Sequence, residues 1–143
     1  MDSSETMVLD DIKSSFAFFD DWEDKYHFII DLGKELPELA AGEKTEDRLV
    51  RGCQSQVWLV SEFDSQQDCI RLQIDSDAHI VRGLIAIVLA VFNQRSPSFI
   101  VGYDIEGLFE ELDLLKHLSP TRGNGLRAMV AKIRSLAETA ETA

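Results

Sequence analysis

Only two cysteines, Cys53 and Cys69, occur in the 143 residues, too few for the disulfide framework that staples small secreted domains. Met1 to Asp11 is acidic and lacks an apolar h-region, so no secretory signal is read there and a cytoplasmic, reducing compartment is expected. Long hydrophobic runs are missing as well. The longest, Leu84 to Phe92, is too short to span a bilayer and reads as a buried helix, so no membrane partner is expected. Positive charge is scarce: 14 Lys and Arg face 26 Asp and Glu, a formal net charge of -12. Nucleic acid or an anionic membrane would meet like-charge repulsion, whereas a basic patch on a protein partner would be attracted.

Common local signatures are absent too. No Walker loop, GxGxxG or GxSxG stretch occurs, which leaves nucleotide binding and the usual hydrolase layouts without local support. The soft metal ligands Cys53, Cys69, His27, His79 and His117 never stand at CxxC or HxxxH spacing, so no metal site is expected.

What is present is an ordinary globular composition, 45% hydrophobic and 28% charged, on a chain long enough to bury one core. A single domain over residues 1–143 is expected, with about 1–10 and 138–143 flexible, the low-complexity tail "AETAETA" fraying at the end. Leu9, Ile12, Phe16 and Phe19 recur at helical spacing, and Tyr26, Ile29, Ile30, Gly33 and Leu36 do so until Pro37 stops them. The break falls near Asp20 and Asp21, with Asp21 as N-cap of the second helix. Phe16, Phe18, Phe19, Trp22 and Phe28 read as core stripe rather than a binding box.

The stretch Leu39 to Arg48 shows no sustained period and reads as surface loop. Val57 to Phe63 is β-rich, and Ile70, Leu72 and Ile74 alternate with Arg71, Gln73 and Asp75. This predicts an antiparallel hairpin, widened by Leu49 and Val50 as a short third strand, with its isoleucine and leucine face packed on helices. Asp75 or Ser76 is expected to cap a central helix from Asp77 to about Asn93. Ser96-Pro97 begins a short segment, Ile105 to Leu115 carries another helical pattern, and Ser119-Pro120 opens a last helix with Leu126, Met129, Val130, Ile133 and Leu136 on one face. The order of elements predicts an α+β fold, a small antiparallel sheet packed on helices.

Cys69 opens the second strand, where a thiol behaves as a small hydrophobe. Cys53 sits differently in "RGCQSQVW". Gly52 permits unusual backbone angles, Gln54, Ser55 and Gln56 are polar, and the strand begins only at Val57, which puts the thiol at a loop tip. A thiol of ordinary pKa ~8.5 is only a few per cent thiolate at neutral pH. A working cysteine therefore needs a positive or hydrogen-bonding neighbour, and Arg51 is the nearest candidate. Spacing alone leaves Cys53 open between core filler and reactive thiol. Arg122-Gly123-Asn124-Gly125 is either an anion cradle at a helix start or a pair of glycines that allow close packing.

Three separated stretches, "GCQSQVW", "DSDAHIVRGLIAIV" and "LSPTRGNGL", together resemble the SufE family of sulfur-acceptor proteins. The likeness runs in order from about Trp22 to Ile133 and departs at Ile74, where relatives often carry a small residue. "QSQ" after the cysteine is closer to SufE than to its CsdE paralogue. The resemblance implies a fold related to U-type iron–sulfur scaffolds and a role in iron–sulfur cluster assembly without a cofactor of its own. Cys53 would take persulfide sulfur from a SufS-type cysteine desulfurase, stimulate that enzyme and pass the sulfur to a SufBCD-type scaffold complex. This makes the chain a carrier with a persulfide intermediate rather than a stand-alone enzyme.

Around Cys53, the same resemblance implies a binding surface of Arg51, Gly52, Gln54, Ser55, Gln56, Asp77 and Arg122, with Asp77 and Arg122 docking the desulfurase or forming an ion pair with each other. Trp58 is either part of a shelter for the sulfur or plain core. A homodimer is an open expectation. The competing readings are a CsdE-type acceptor serving a CsdA-like desulfurase, a U-type metal or cluster scaffold, and a thiol hydrolase that would need a histidine brought to Cys53.

Overall fold

The computed structural model describes residues 9–52 and 55–142. Helices surround one antiparallel hairpin, the α+β arrangement expected from the order of periodicities. Helix α1, Leu9–Phe18, turns Ile12 and Phe16 inward. Helix α2, Trp22–Lys34, starts where expected, since Asp21 Oδ1 accepts from the Asp24 amide at 2.9 Å and satisfies a donor the first turn leaves unpaired. Phe16 packs edge-on against Phe28 with centroids 5.7 Å apart. Phe18, by contrast, is 79% exposed, so the aromatic stripe is core only in part.

Strands β1, Val57–Asp64, and β2, Cys69–Ser76, pair antiparallel with Val57 opposite Ser76 and Asp64 opposite Cys69. The Asp64 carboxylate organises the turn between them. It accepts from the Gln66 and Gln67 amides and from Arg71 Nη2. The Arg71 guanidinium, with help from those amides, holds the Asp64 carboxyl below its ordinary range. The expected third strand shrinks to a single bridge between Leu49 and Trp58, with the Val50 amide donating to Val57 O at 2.8 Å.

Ile70, Leu72 and Ile74 are buried on one face of β2, as alternation requires, but Asp75 on the opposite face is also buried, at 1% exposure. The stretch from Leu39 to Arg48 explains this. Instead of a plain surface loop it forms two short 3-10 turns, Ala41–Glu43 and Glu46–Arg48, and folds back over the end of the hairpin. The Leu39 amide donates to Asp75 Oδ2 at 3.0 Å, Lys44 Nζ stands 3.6 Å from the same oxygen, and that ammonium lies 5.3 Å from the centre of the Trp58 ring. Trp58 is therefore packed in the core, 9% exposed.

Helix α3, His79–Phe92, is buried almost all round and occupies the middle of the molecule. It starts two residues later than expected and has no side-chain cap. The Asp75 carboxylate is instead engaged by Arg82 Nη1 and by the Leu39 and Ser76 amides, and Ser76 Oγ accepts from the Ala78 amide. Arg82 also donates through Nε to Gly33 O and through Nη2 to Leu36 O. One buried ion pair thus ties the end of α2 to β2 and α3.

Helices α2 and α3 cross at glycines. A Cβ on Gly33 would stand 2.7 Å from the Gly83 nitrogen, and one on Gly83 would press on the Ile29 carbonyl and lie 2.5 Å from Ile29 Cγ2. Because backbone blocks both positions, relief requires moving a helix. Gly83→Ala is expected to lose at least about 1–3 kcal/mol, the usual cost of overpacking a filled core, despite the better helix propensity of alanine. Urea midpoints read this, and an unchanged midpoint would show that the helices part freely.

Helix α4, Pro97–Gly102, begins at Ser96, whose Oγ accepts from the Phe99 amide at 3.1 Å. The pattern expected as one helix from Ile105 to Leu115 is two: α5, Ile105–Glu111, and α6, Leu114–His117. Asp113 separates them in the left-handed region, φ 61°, which lets Leu112 and Leu114 both reach the core. Helix α7, Pro120–Thr142, opens as expected, with Ser119 Oγ accepting from the Arg122 amide at 3.2 Å. Leu126, Met129, Val130 and Ile133 face inward. The tail read as fraying is helical through Thr142, and Glu141 accepts a hydrogen bond from Ser98 Oγ at 3.0 Å.

Candidate functional site

Cys53 and Gln54 lie outside the described residues, so the site is built from the residues that flank them. Upstream, Arg51 is exposed and Gly52 takes φ +91°, a conformation an L side chain resists. Gly52 also faces α7 closely: a Cβ there would lie 3.1 Å from Ala128 Cβ. Downstream, Gln56 is fixed by Asp77 in both directions. Its amide donates to Asp77 Oδ1 at 3.1 Å, and its carbonyl accepts from the Asp77 amide at 3.3 Å.

Between these fixed points and the start of α7 opens a cleft enclosing about 380 Å³, open solvent at its mouth included. Val57 from β1, Val81 and Leu84 from α3, and Leu126 and Met129 from α7 make its apolar walls; Ser55, Thr121, Arg122 and Gly125 complete it. Such a lining, apolar with few polar groups, suits a small uncharged or weakly solvated group. Arg122 is half-buried in the first turn of α7. Among the described residues no carboxylate stands within ion-pair distance of it.

The residues singled out in the sequence therefore separate into groups. Ser55 and Arg122 meet at the cleft, Gln56 and Asp77 bind each other, Gly52 is seated on α7, and Arg51 is exposed. No Asp77–Arg122 ion pair forms: the Asp77 carboxylate accepts from the Gln56 amide, while Arg122 lines the cleft. Arg122-Gly123-Asn124-Gly125 is not an open anion cradle either. The Arg122 and Gly123 amides are taken by Ser119 Oγ and Ser119 O, and Gly123 is buried with ordinary clearance to Leu115.

Cys69 is a free thiol, half-buried at the start of β2. Among the described residues no group of three or more His, Cys, Asp or Glu side chains converges as a metal site. No described helix is long and apolar enough to cross a membrane.

Two features of the site escaped sequence reasoning. Leu126 and Met129 read only as core positions, yet they also line the cleft. Ala128, one turn beyond Gly125 on the same helix, carried no signal beyond its small size.

Residues 10–137 match the family model SufE, an Fe-S metabolism associated domain. A SufE-like protein of Rhizobium meliloti (strain 1021) is 47% identical over 132 residues, covering 91% of this chain and 94% of that protein. A SufE-like protein of Rhizobium etli is 48% identical over 132 residues, covering 91% and 89%. The solution structure of a hypothetical protein from Thermus thermophilus superposes with a TM-score of 0.74 at 18% identity, over 96% of this chain and 100% of that one. That likeness supports the fold.

Proposed function

This chain belongs to the SufE family, which places it in sulfur transfer within iron–sulfur metabolism, and we propose that Cys53 carries the sulfur: it accepts persulfide sulfur from a SufS-type cysteine desulfurase, stimulating that enzyme, and delivers it to a SufBCD-type scaffold. The observation that carries this reading is the apolar cleft lined by Ser55, two residues after Cys53 in the chain; Gly52, just before Cys53, faces α7 at Ala128. A sulfane sulfur needs protection from reductants and oxidants between partners, and a water-poor wall of valine, leucine and methionine side chains provides it.

The transfer is displacement at sulfur and is redox-neutral. The Cys53 thiolate attacks the outer sulfur of the donor persulfide; a new sulfur–sulfur bond forms as the donor's own sulfur–sulfur bond breaks. The donor cysteine leaves as a thiolate, and the proton of the outer sulfur stays with it on Cys53. Delivery repeats the displacement with an acceptor thiolate attacking the same outer sulfur. Arg122, at the cleft and without a carboxylate in ion-pair distance among the described residues, supplies positive charge to the thiolate that attacks and then leaves. Arg51, exposed one residue beyond Gly52, meets the docked partner.

The test incubates the full chain with cysteine and a SufS-type or a CsdA-like desulfurase, then maps the added sulfur by peptide mass spectrometry. Sulfur is expected on Cys53, faster with the SufS-type donor, and less of it in Arg122→Ala. Sulfur on Cys69, or none at all, overturns the carrier reading; faster loading from the CsdA-like donor turns it toward the CsdE-type role.

A further inference from the structure

We propose that the outer edge of β1, at Ser61 and Phe63, is a strand-addition site for an extended basic segment of a partner protein. The inference goes beyond the carrier reading and stands on the hairpin alone.

The hydrogen bonds already present define this edge. In an antiparallel strand the N–H and C=O of one residue point to the same side, and the side alternates along the chain. Val57 O accepts from the Val50 amide, outside the hairpin, so Val57, Leu59, Ser61 and Phe63 turn their backbone groups away from β2. The residues opposite Phe63 and Ser61 agree: Ile70 bonds outward to Gln94 and Arg95, and the Leu72 amide donates outward to Asn93 Oδ1. The turn after α3 thus covers the edge of β2. The edge of β1 is paired only at its start, because the chain before Leu49 coils into the 3-10 turn Glu46–Arg48 instead of running on as a third strand. Among the described residues no group bonds to the outward N–H or C=O of Ser61 or Phe63, and both residues are exposed.

Open edges are normally blunted by proline, lysine or a bulge. None of these occurs from Val60 to Asp64, where the register runs unbroken from Val57 opposite Ser76 to Asp64 opposite Cys69. What the edge carries is negative charge and one ring. Glu62 is exposed between the two open residues, Phe63 is 40% exposed, and the cross-strand Arg71 is bound to Asp64. On a chain of net charge -12, this selects a strand bearing lysine or arginine and rejects a second copy of the chain, whose own edge is just as acidic. Backbone bonds give such a contact its affinity, and alternate side chains give it its choice of partner. Ser61 stands roughly 13 Å along β1 from Val57 at 3.3 Å per residue, so this grip is separate from the cleft that Val57 lines.

Amide exchange of the full chain, read residue by residue by NMR, tests this with two short probe peptides, one alternating lysine with valine and the other glutamate with valine. In the free chain the Ser61 and Phe63 amides are expected to exchange fast, and those of Val60 and Glu62, which face β2, slowly. Excess lysine peptide is expected to slow Ser61 and Phe63 and leave Val60 and Glu62 as they were; the glutamate peptide is expected to slow none of them. Ser61→Pro removes an outward donor and spares the bonds to β2. It is expected to weaken the lysine peptide roughly fivefold or more, the factor of one lost backbone hydrogen bond. Glu62→Lys keeps every backbone bond and is expected to weaken the lysine peptide and strengthen the glutamate one.

Slow Ser61 and Phe63 amides in the free chain, protection that grows with the chain's own concentration, an equal response to both peptides, or a preference untouched by Glu62→Lys would each overturn the proposal. Sulfur uptake at Cys53 is a separate readout, and its failure sinks the carrier reading without touching the edge.

Discussion

Cys53→Ser abolishes sulfur loading, and Cys69→Ser loads like the wild type: this is the expected outcome of incubating each variant with desulfurase and cysteine and weighing the products. A hydroxyl cannot replace the thiolate, because at neutral pH it is un-ionised and nothing beside it in the sequence is a base, whereas a thiol of pKa ~8.5 already supplies a few per cent of the reactive anion. Serine also cannot form the sulfur–sulfur bond that holds the cargo. Loss should therefore be complete rather than partial. Cys69 differs because it begins β2 opposite Asp64. The nearby Arg71 is committed to the Asp64 carboxylate, its Nη2 2.6 Å from Asp64 Oδ2. An adduct persisting on the Cys53→Ser protein sinks the carrier reading outright.

Asp75→Ala is expected to cost about 3–5 kcal/mol, the range for removing one partner of a buried ion pair. The Asp75 side chain is 1% exposed and that of Arg82 13%, so solvent cannot replace the lost carboxylate. The substitution strands the Arg82 guanidinium and removes the acceptor for the Leu39 and Ser76 amides. Against a typical total of about 5–15 kcal/mol for a domain, such a loss removes at least about a fifth of the folding free energy. Urea denaturation of Asp75→Ala, Arg82→Met and the double variant checks it. The double variant should lose less than the sum of the singles, since its burial no longer includes an unpaired charge. Additive losses would mean that the two side chains act separately.

How far the sequence reveals this molecule depends on the distance over which each signal acts. Asp21, Ser96 and Ser119 are legible as caps because a cap needs only the next turn of its own helix. The hairpin is legible because alternation in Ile70, Leu72 and Ile74 is local, and α3 because an all-round apolar stretch can only be interior. Asp75 is misread for the opposite reason: alternation assigns it to the polar face, and its burial depends on residues 39–48 folding back from another part of the chain. The break at Asp113 was hidden because a left-handed residue inside a periodic pattern leaves the apolar spacing intact. At the candidate site, the motifs mark Ser55, Gln56, Asp77 and Arg122, but periodicity cannot show that Val57, Val81, Leu84, Leu126 and Met129 leave space between them. Nor can it show that Asp77 serves the Gln56 amide instead of Arg122.

The tripeptide Asp75-Ser76-Asp77 directs three successive side chains to three different tasks: into the core toward Arg82, onto the Ala78 amide at the head of α3, and out to Gln56. Tolerance to substitution should therefore change abruptly along it. In a saturation library sorted for folded protein, position 75 admits almost nothing while the exposed position 77 admits most polar residues. A second sort for sulfur uptake then draws its variation from 77 alone. Delivery of the cargo can in this way be retuned by directed evolution within two residues of a site where the scaffold permits no change.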